Sequence, residues 1–255
     1  MKITILVDNH AGKGLLAEHG FSALLDVSGR RILFDTGQSG YVLLENARSL
    51  GVDLGGLDAV ALSHTHYDHI GGLGALIPFL RDVPIYCGAG VPQRLQSPEY
   101  SNCRFCAAAS PQQITQEVMT GGHIFRRCEF EARPGMYPGE EESGGTGDEM
   151  LDEQPLFVKC QKGILVICGC AHPGVVNIVE DAGEVGGEVF ALFGGLHLGG
   201  APMRQIRRTA EELKNRGVRR IYPAHCTGRE AGEYFKKVFG EDCHFCEVGA
   251  VFNFD

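Results

Sequence analysis

No apolar run in this 255-residue chain approaches the roughly 18 residues needed to cross a membrane, so a membrane-spanning role is not expected. Positive charge is scarce as well. Lys and Arg number 23 against 32 Asp and Glu, giving a formal net charge of -9. That balance argues against a general nucleic-acid or membrane-surface binder. It leaves room for a small anionic substrate held by local cations. The first stretch, Met1 to Asp8, has too little apolar length for a secretory signal and reads as a strand, so a cytoplasmic location is expected. Internal repeats are lacking too, and the sequence is silent on oligomeric state.

Hydrophobic content of 44% and charge content of 22% are ordinary for a globular protein. The length suffices for a large core in one layered domain over residues 1–255. Cysteine is abundant, at 10 residues. Without a signal peptide most of these thiols are expected to be reduced and buried. Two pairs have CxxC spacing, Cys103 with Cys106 and Cys243 with Cys246. Together they could form a structural zinc site, although scattered thiols or a labile disulfide fit the spacing better.

Strand-like and helix-like segments alternate. Strands are predicted at Lys2–Asp8, Ser22–Val27, Arg31–Asp35, Leu57–Ser63, Val83–Cys87, Leu156–Cys160, Ile164–Cys168, Val189–Phe193 and Arg219–Tyr222. Helices are predicted at Gly40–Leu50, Ala89–Leu95, Gly174–Ala182, Pro202–Arg216 and Arg229–Phe239. Pro202 near a helix start and Gly217 just past its end support the fourth helix. Hairpin turns are predicted around Ser28-Gly29 and Gln161-Lys162. Early hairpins followed by βα units suggest two mixed sheets with helices outside, an α/β (α+β) arrangement. The stretch from Pro134 to Pro155 is rich in Gly, Pro, Glu, Ser and Asp and holds little that could be buried, so a mobile loop is expected there.

Chemistry concentrates in Ser63-His64-Thr65-His66-Tyr67-Asp68-His69-Ile70-Gly71-Gly72, which follows the apolar run Ala59–Leu62. Three imidazoles and a carboxylate fall within six residues. Neutral imidazole and carboxylate bind zinc, iron or manganese at neutral pH. In extended chain His64 and His66 point the same way. Asp68 and His69 then need a tight turn, which Gly71-Gly72 would permit. Two groups of ligands can thus face two adjacent positions. Three later segments place a histidine just past a predicted strand: Cys168-Gly169-Cys170-Ala171-His172, Gly194-Gly195-Leu196-His197 and Tyr222-Pro223-Ala224-His225-Cys226-Thr227. Loops gather at strand ends and sites form there. His172, His197 and His225 are therefore candidate ligands. His19 is a candidate pocket residue, and Asp35, in Asp35-Thr36-Gly37, could fix a ligand histidine from behind. His10, His123 and His244 lack such context.

These residues resemble the metallo-β-lactamase superfamily, whose signature HxHxDH follows a strand, as His64, His66, Asp68 and His69 do here. Within it the chain resembles the branch of 7,8-dihydropterin-6-methyl-4-(β-D-ribofuranosyl)aminobenzene 5'-phosphate synthases. The residues that carry this are Glu18–Ser22, Phe34–Gly40, Gly169–Asn177, Gly194–Leu198 and His225–Gly228. The resemblance implies a four-layer αββα sandwich and one or two divalent metal ions. Zinc is expected first, with manganese, iron or magnesium as alternatives; nitrogen ligands favour a transition metal over magnesium. By position, His64, His66 and His172 would hold one ion, and Asp68, His69 and His225 the other. The superfamily's usual bridging Asp has no counterpart: Cys170 and Gly195 occupy the corresponding positions, and His197 lies close enough in sequence to substitute.

The implied activity is a metal-dependent hydrolase, or a transferase that displaces pyrophosphate, acting on a small phosphorylated and pterin-like molecule. Asp68 and His197 are the expected catalytic residues. Thr227, with the amides that open the last helix, is expected to contact phosphate, and the resemblance adds Asn177 and His19. Arg126 and Arg127 are a weaker phosphate site, since a basic pair is usually a solvated face. Two other readings are iron-dependent redox or dioxygen chemistry at the same ligands, and a non-catalytic module stabilised by metal and cysteines.

Overall fold

The computed structural model describes residues 1–128, 130–131 and 151–254. Twelve strands are found among them. They are β1 Lys2–Val7, β2 Ser22–Val27, β3 Arg30–Phe34, β4 Ala59–Ala61, β5 Pro84–Cys87 and β6 Arg104–Ala107. The second half adds β7 Val118–Thr120, β8 Leu156–Cys160, β9 Gly163–Cys168, β10 Val189–Gly195, β11 Arg220–Ala224 and β12 Val251–Asn253. The α-helices are α1 Gly40–Ser49, α2 Tyr67–Ile70, α3 Leu73–Leu76, α4 Val91–Arg94, α5 Val175–Glu184, α6 Met203–Asn215 and α7 Arg229–Phe239.

Strand alternation builds the layers. Ile32 and Phe34 of β3 join Leu165 and Ile167 of β9 and Phe193 of β10 in one buried cluster between two sheets. Leu33, the intervening residue of β3, turns the other way and packs with Leu43 of α1 and Leu73 of α3. Val166 of β9 and Leu192 of β10 likewise turn outward, against Val176, Ile206 and Phe235 of α5, α6 and α7. Period-two side chains on strands with both faces covered therefore give four layers, helix–sheet–sheet–helix. Phe21, Phe34, Phe157, Phe193 and Phe235 are fully buried. Each contributes about 1.5–3 kcal/mol relative to exposure.

The first sheet runs β12-β1-β2-β3-β4-β5-β6 and the second β11-β10-β9-β8-β7. Pairing is antiparallel from β12 through β3 and parallel from β3 through β6. In the second sheet β9, β10 and β11 are parallel. Parallel strands send their carboxyl ends to one edge, where ligands settle in α/β proteins.

The predicted strands and helices are all present; Ser22–Val27, Leu156–Cys160 and Arg229–Phe239 keep their predicted bounds and the rest have shifted ends. Ser28 and Gly29 take φ of 50° and 78°, as the first hairpin turn requires. Helix α4 is a single turn, because Pro92 sits at its start and Leu95 leaves helical geometry. Strands β6, β7 and β12 and helices α2 and α3 were not predicted; each is only three or four residues long, too short to develop a period. No helix among the described residues is long and apolar enough to cross a membrane. Residues 134–150 of the expected loop lie outside the described residues. Its end corrects the reading that little there could be buried: Asp152, Glu153 and Gln154 are 5%, 2% and 2% exposed.

Candidate metal centre

Strand ends converge as the sequence suggested. His64 and His66 follow β4, His172 follows β9, His197 follows β10 and His225 follows β11. The ring centroids of His64 and His66 are 4.7 Å apart, and those of His172 lie 4.8 and 5.0 Å from the two. Their donor nitrogens fall within 4.8 Å of one another. Asp68 and His69 return to the site through the one-turn helix α2. Asp68 Oδ2 sits 3.2 Å from His225 Nε2 and 3.7 Å from His69 Nε2. The two triads therefore lie side by side, with the His64 and His69 rings 4.1 Å apart.

The glycines after α2 serve a purpose other than the one expected. Gly71 has φ of -63° and Gly72 of -80°, ordinary helical values. What demands glycine is close approach: a Cβ on Gly71 would come within 2.1 Å of the Gln38 carbonyl oxygen, and one on Gly72 within 2.1 Å of that of Thr36. This contact seats α2 against the end of β3. The Thr36 N–H and hydroxyl both donate to the His69 carbonyl, at 2.7 and 2.9 Å.

Four of the five candidate ligand rings, those of His64, His69, His172 and His225, are fixed from behind. Asp35, fully buried at the end of β3, accepts from Ser63 N at 2.7 Å and Ser63 Oγ at 2.6 Å, and pairs with His69 Nδ1 at 2.7 Å. Ser63 Oγ also meets His64 Nδ1 at 2.8 Å. Asn9 Oδ1 lies 2.9 Å from His225 Nδ1, and Asp8 accepts from His225 N at 3.0 Å. Glu153 Oε2 meets His172 Nδ1 at 2.5 Å, while its carboxylate also accepts from Ala171 N and His172 N. Asp152 accepts from Thr65 N and Oγ1, and Gln154 N donates to Ser63 O. One strap, residues 152–154, thus grips both halves of the three-histidine triad. Four of the six non-glycine residues with positive φ, Asp35, Ala171, His197 and His225, stand in these loops. Backbone strain of this kind concentrates at functional sites.

The electrostatics suit a cation. Burial, then neighbouring imidazoles, pushes the His64 pKa well down; burial also lowers those of His66 and His225. Neutral rings are the ligand form. Burial alone would raise the Asp68 carboxyl, but hydrogen bonds from His19 and His225 outweigh it and hold it ionised. For His69 burial lowers the pKa, yet the Asp35 charge and hydrogen bond raise it to about 9. The same competition leaves Glu153 at about 2, with burial overcome by His172. His64 Nε2 is buried with no hydrogen-bond partner, and its other nitrogen is turned to Ser63. A buried, neutral, partnerless nitrogen facing two further imidazoles fits a divalent transition metal. His64, His66 and His172 would hold one ion; Asp68, His69 and His225 would hold a second.

Other expected site residues fall differently. His19 arrives at the second triad, its Nε2 3.2 Å from Asp68 Oδ2 and half its side chain exposed. The His197 ring lies 4.4 Å from that of His172 but joins none of the ligand clusters among the described residues. A substrate contact by Asn177 is corrected: the residue is fully buried, its Oδ1 accepts from Arg127 N and Cys128 N, and its Nδ2 donates to Pro173 O and Glu131. Thr227 is 2% exposed, and its hydroxyl ties Leu196 N to Gly194 O, so it braces two site loops. Arg127 pairs with Asp181, and Arg126 donates to the His172 carbonyl. All ten cysteines are free thiols. No ligand cluster among the described residues joins the two CxxC pairs.

Glu153, Asp152, Asn9 and Ser63 were missed by sequence reasoning. Ser63 carried a signal, since it directly precedes His64. The others are polar residues at strand ends or in a loop, with no periodicity to mark them.

Comparison with known proteins agrees with this fold. Residues 30–125 match the family model of the β-lactamase superfamily domain. The whole chain aligns, at 30% identity and over 97% of its partner, with the 7,8-dihydropterin-6-methyl-4-(β-D-ribofuranosyl)-aminobenzene-5'-phosphate synthase of Methanocaldococcus jannaschii. An uncharacterised protein of the same organism is 32% identical over 90% of this chain and 91% of its own length. A solved metal-dependent hydrolase of the β-lactamase superfamily superposes with a TM-score of 0.83 at 30% identity, covering 100% of both chains. With full-length relatives of this kind, the chain belongs to the metallo-β-lactamase superfamily, in the branch of the dihydropterin-linked aminobenzene phosphate synthase.

Proposed function

We propose that the protein is a metal-dependent enzyme acting on a small phosphorylated, pterin-like substrate, by hydrolysis or by displacement of pyrophosphate. The observation that carries this is the cluster of His64, His66 and His172 beside Asp68, whose Oδ2 lies 3.7 Å from His69 Nε2 and 3.2 Å from His225 Nε2; five of these six residues are nine-tenths buried or more. The substrate class follows the relative's name, which is that of a synthase of a pterin-bearing phosphate. Zinc is the first candidate, because imidazole-rich sites suit it and magnesium prefers oxygen.

Bound there, a divalent cation would supply Lewis-acid polarisation of a phosphoryl oxygen and a lowered pKa for water. The chain supplies the rest. Asp68, held ionised, would hold metal and orient an attacking water. His19, half-exposed and hydrogen-bonded to Asp68, lies where a bound substrate would meet the second triad. A cleft of about 770 Å³ opens beside His225, lined by Asn9, Gly228, Arg229 and Phe245 among others. Gly228 and Arg229 start α7, whose first amides favour an anion such as phosphate. Phe245, 52% exposed, offers an apolar face to a planar ring.

The test is elemental analysis of the purified protein with a screen of phosphoesters, pyrophosphates and lactones. Turnover that chelation abolishes and zinc restores is expected. His66→Ala should lose turnover and about one equivalent of metal; full activity in that variant refutes the ligand assignment. Bound iron with an optical signature would instead favour the redox reading. Metal-dependent folding with no turnover on any substrate would favour the non-catalytic one.

A further inference from the structure

Sulfur faces the second triad along with nitrogen and oxygen. Cys170, two residues past β9, places Sγ 3.1 Å from His69 Nε2. The other nitrogen of that ring is held by Asp35 at 2.7 Å, so Nε2 is the atom turned toward the sulfur. Cys170 Sγ also lies within 4.8 Å of the donor atoms of His64 on one side, and of His225 and Cys226 on the other. It stands between the two triads. Cys226 backs it: its Sγ accepts from His197 N at 3.3 Å and contacts the Cys170 carbonyl at 3.5 Å. No side chain can enter this space from the strand between them. A Cβ on Gly195, at the end of β10, would come within 2.7 Å of Cys226 Sγ and 2.2 Å of the Gly169 carbonyl oxygen.

An inert buried cysteine packs as a small hydrophobe among carbon atoms. Cys170, 3% exposed, instead points its sulfur at ring nitrogens that themselves converge with the Asp68 carboxylate. We infer that Cys170 is a metal ligand, completing the second position with Asp68, His69 and His225, and that Cys226 is a positioning residue which holds that sulfur in place. The inference rests on the metal-dependent reading above and deepens it. Its chemical consequence is selectivity. A soft thiolate favours zinc, iron or cobalt, whereas manganese and magnesium prefer oxygen.

Cobalt(II) reads both claims at once. The full-length protein is stripped by chelation and titrated with cobalt while absorbance is followed. Visible d–d bands report imidazole-bound cobalt, and a near-ultraviolet charge-transfer band reports sulfur. The expected result is both signals at two equivalents, with zinc displacing cobalt and manganese failing to do so. Cys170→Ser should lose the charge-transfer band, keep the visible bands, and bind its second equivalent at least roughly tenfold more weakly, the lower bound for disturbing a metal's support. Circular dichroism establishes that the variant is folded, and the wild-type spectrum decides whether sulfur binds the metal even where it is not. Visible bands without charge transfer in the wild type overturn sulfur ligation and leave the metal-dependent reading standing. Absence of any cobalt signal overturns both. A band that survives in Cys170→Ser and vanishes in Cys226→Ser overturns the assignment to Cys170.

Discussion

Glu153 and His172 are joined at 2.5 Å, carboxylate to Nδ1, although 19 positions separate them in the chain. The pair fixes which nitrogen of His172 faces His64 and His66. Glu153→Gln keeps the shape and removes the charge. It is expected to weaken metal binding by about 10–100-fold, the usual effect of losing a carboxylate behind a ligand histidine. Competition against a chelator of known affinity measures this. Unchanged affinity would show that the contact does not tune the ligand.

Asp35 should matter more to stability. Its carboxylate serves Ser63 N, Ser63 Oγ and His69 Nδ1 in a fully buried setting. Asp35→Ala strands all three, and φ of 57° disfavours the new residue. A loss of about 3–5 kcal/mol is expected from breaking such a network. Urea denaturation of the metal-free protein is the measurement, and a shift under about 1 kcal/mol would be too small for this mechanism.

The pH dependence of the metal-free protein has a definite sign. His69 holds its proton to about 9 when folded, against about 6.5 when unfolded. Its pairing is thus fully stabilising below about pH 6.5 and is lost as pH rises through about 9. Asp8 and Glu131, both raised to about 7 by burial, bind protons more tightly folded than unfolded, so they lower stability as pH rises from about 4 to about 7 and add nothing above that. Glu153 acts at the other end, losing its contribution as pH falls through about 2. Thermal melting between about pH 6 and 10 should show falling stability without metal, and a shallower slope with zinc, because loading expels the His69 proton.

Gly72→Ala tests the close contact under α2. The added methyl would overlap the Thr36 carbonyl oxygen at 2.1 Å. Backbone cannot yield as a flexible side chain does, so a cost at or above about 2 kcal/mol is expected. Weaker metal binding at the Asp68–His69 triad should accompany it. A variant as stable as the parent would mean that α2 can shift without harm.

Much of this was legible from residue order alone. Early hairpins followed by βα units pointed to two mixed sheets with helices outside, and HxHxDH after a strand dictated imidazoles in reach of one another. Both are local properties, set by backbone geometry over a few residues. The approach of Glu153 to His172, of Asp35 to His69 and of Cys170 to His69 was decided only by tertiary structure. Each joins loops at the ends of strands that are distant in sequence but adjacent in a sheet, or in facing sheets. An acidic or sulfur side chain in a loop carries no period, so its partner is fixed by where the strands end. The same reason corrected Asn177 and Thr227: their neighbours, and hence whether their polar atoms were free for a substrate, came from packing.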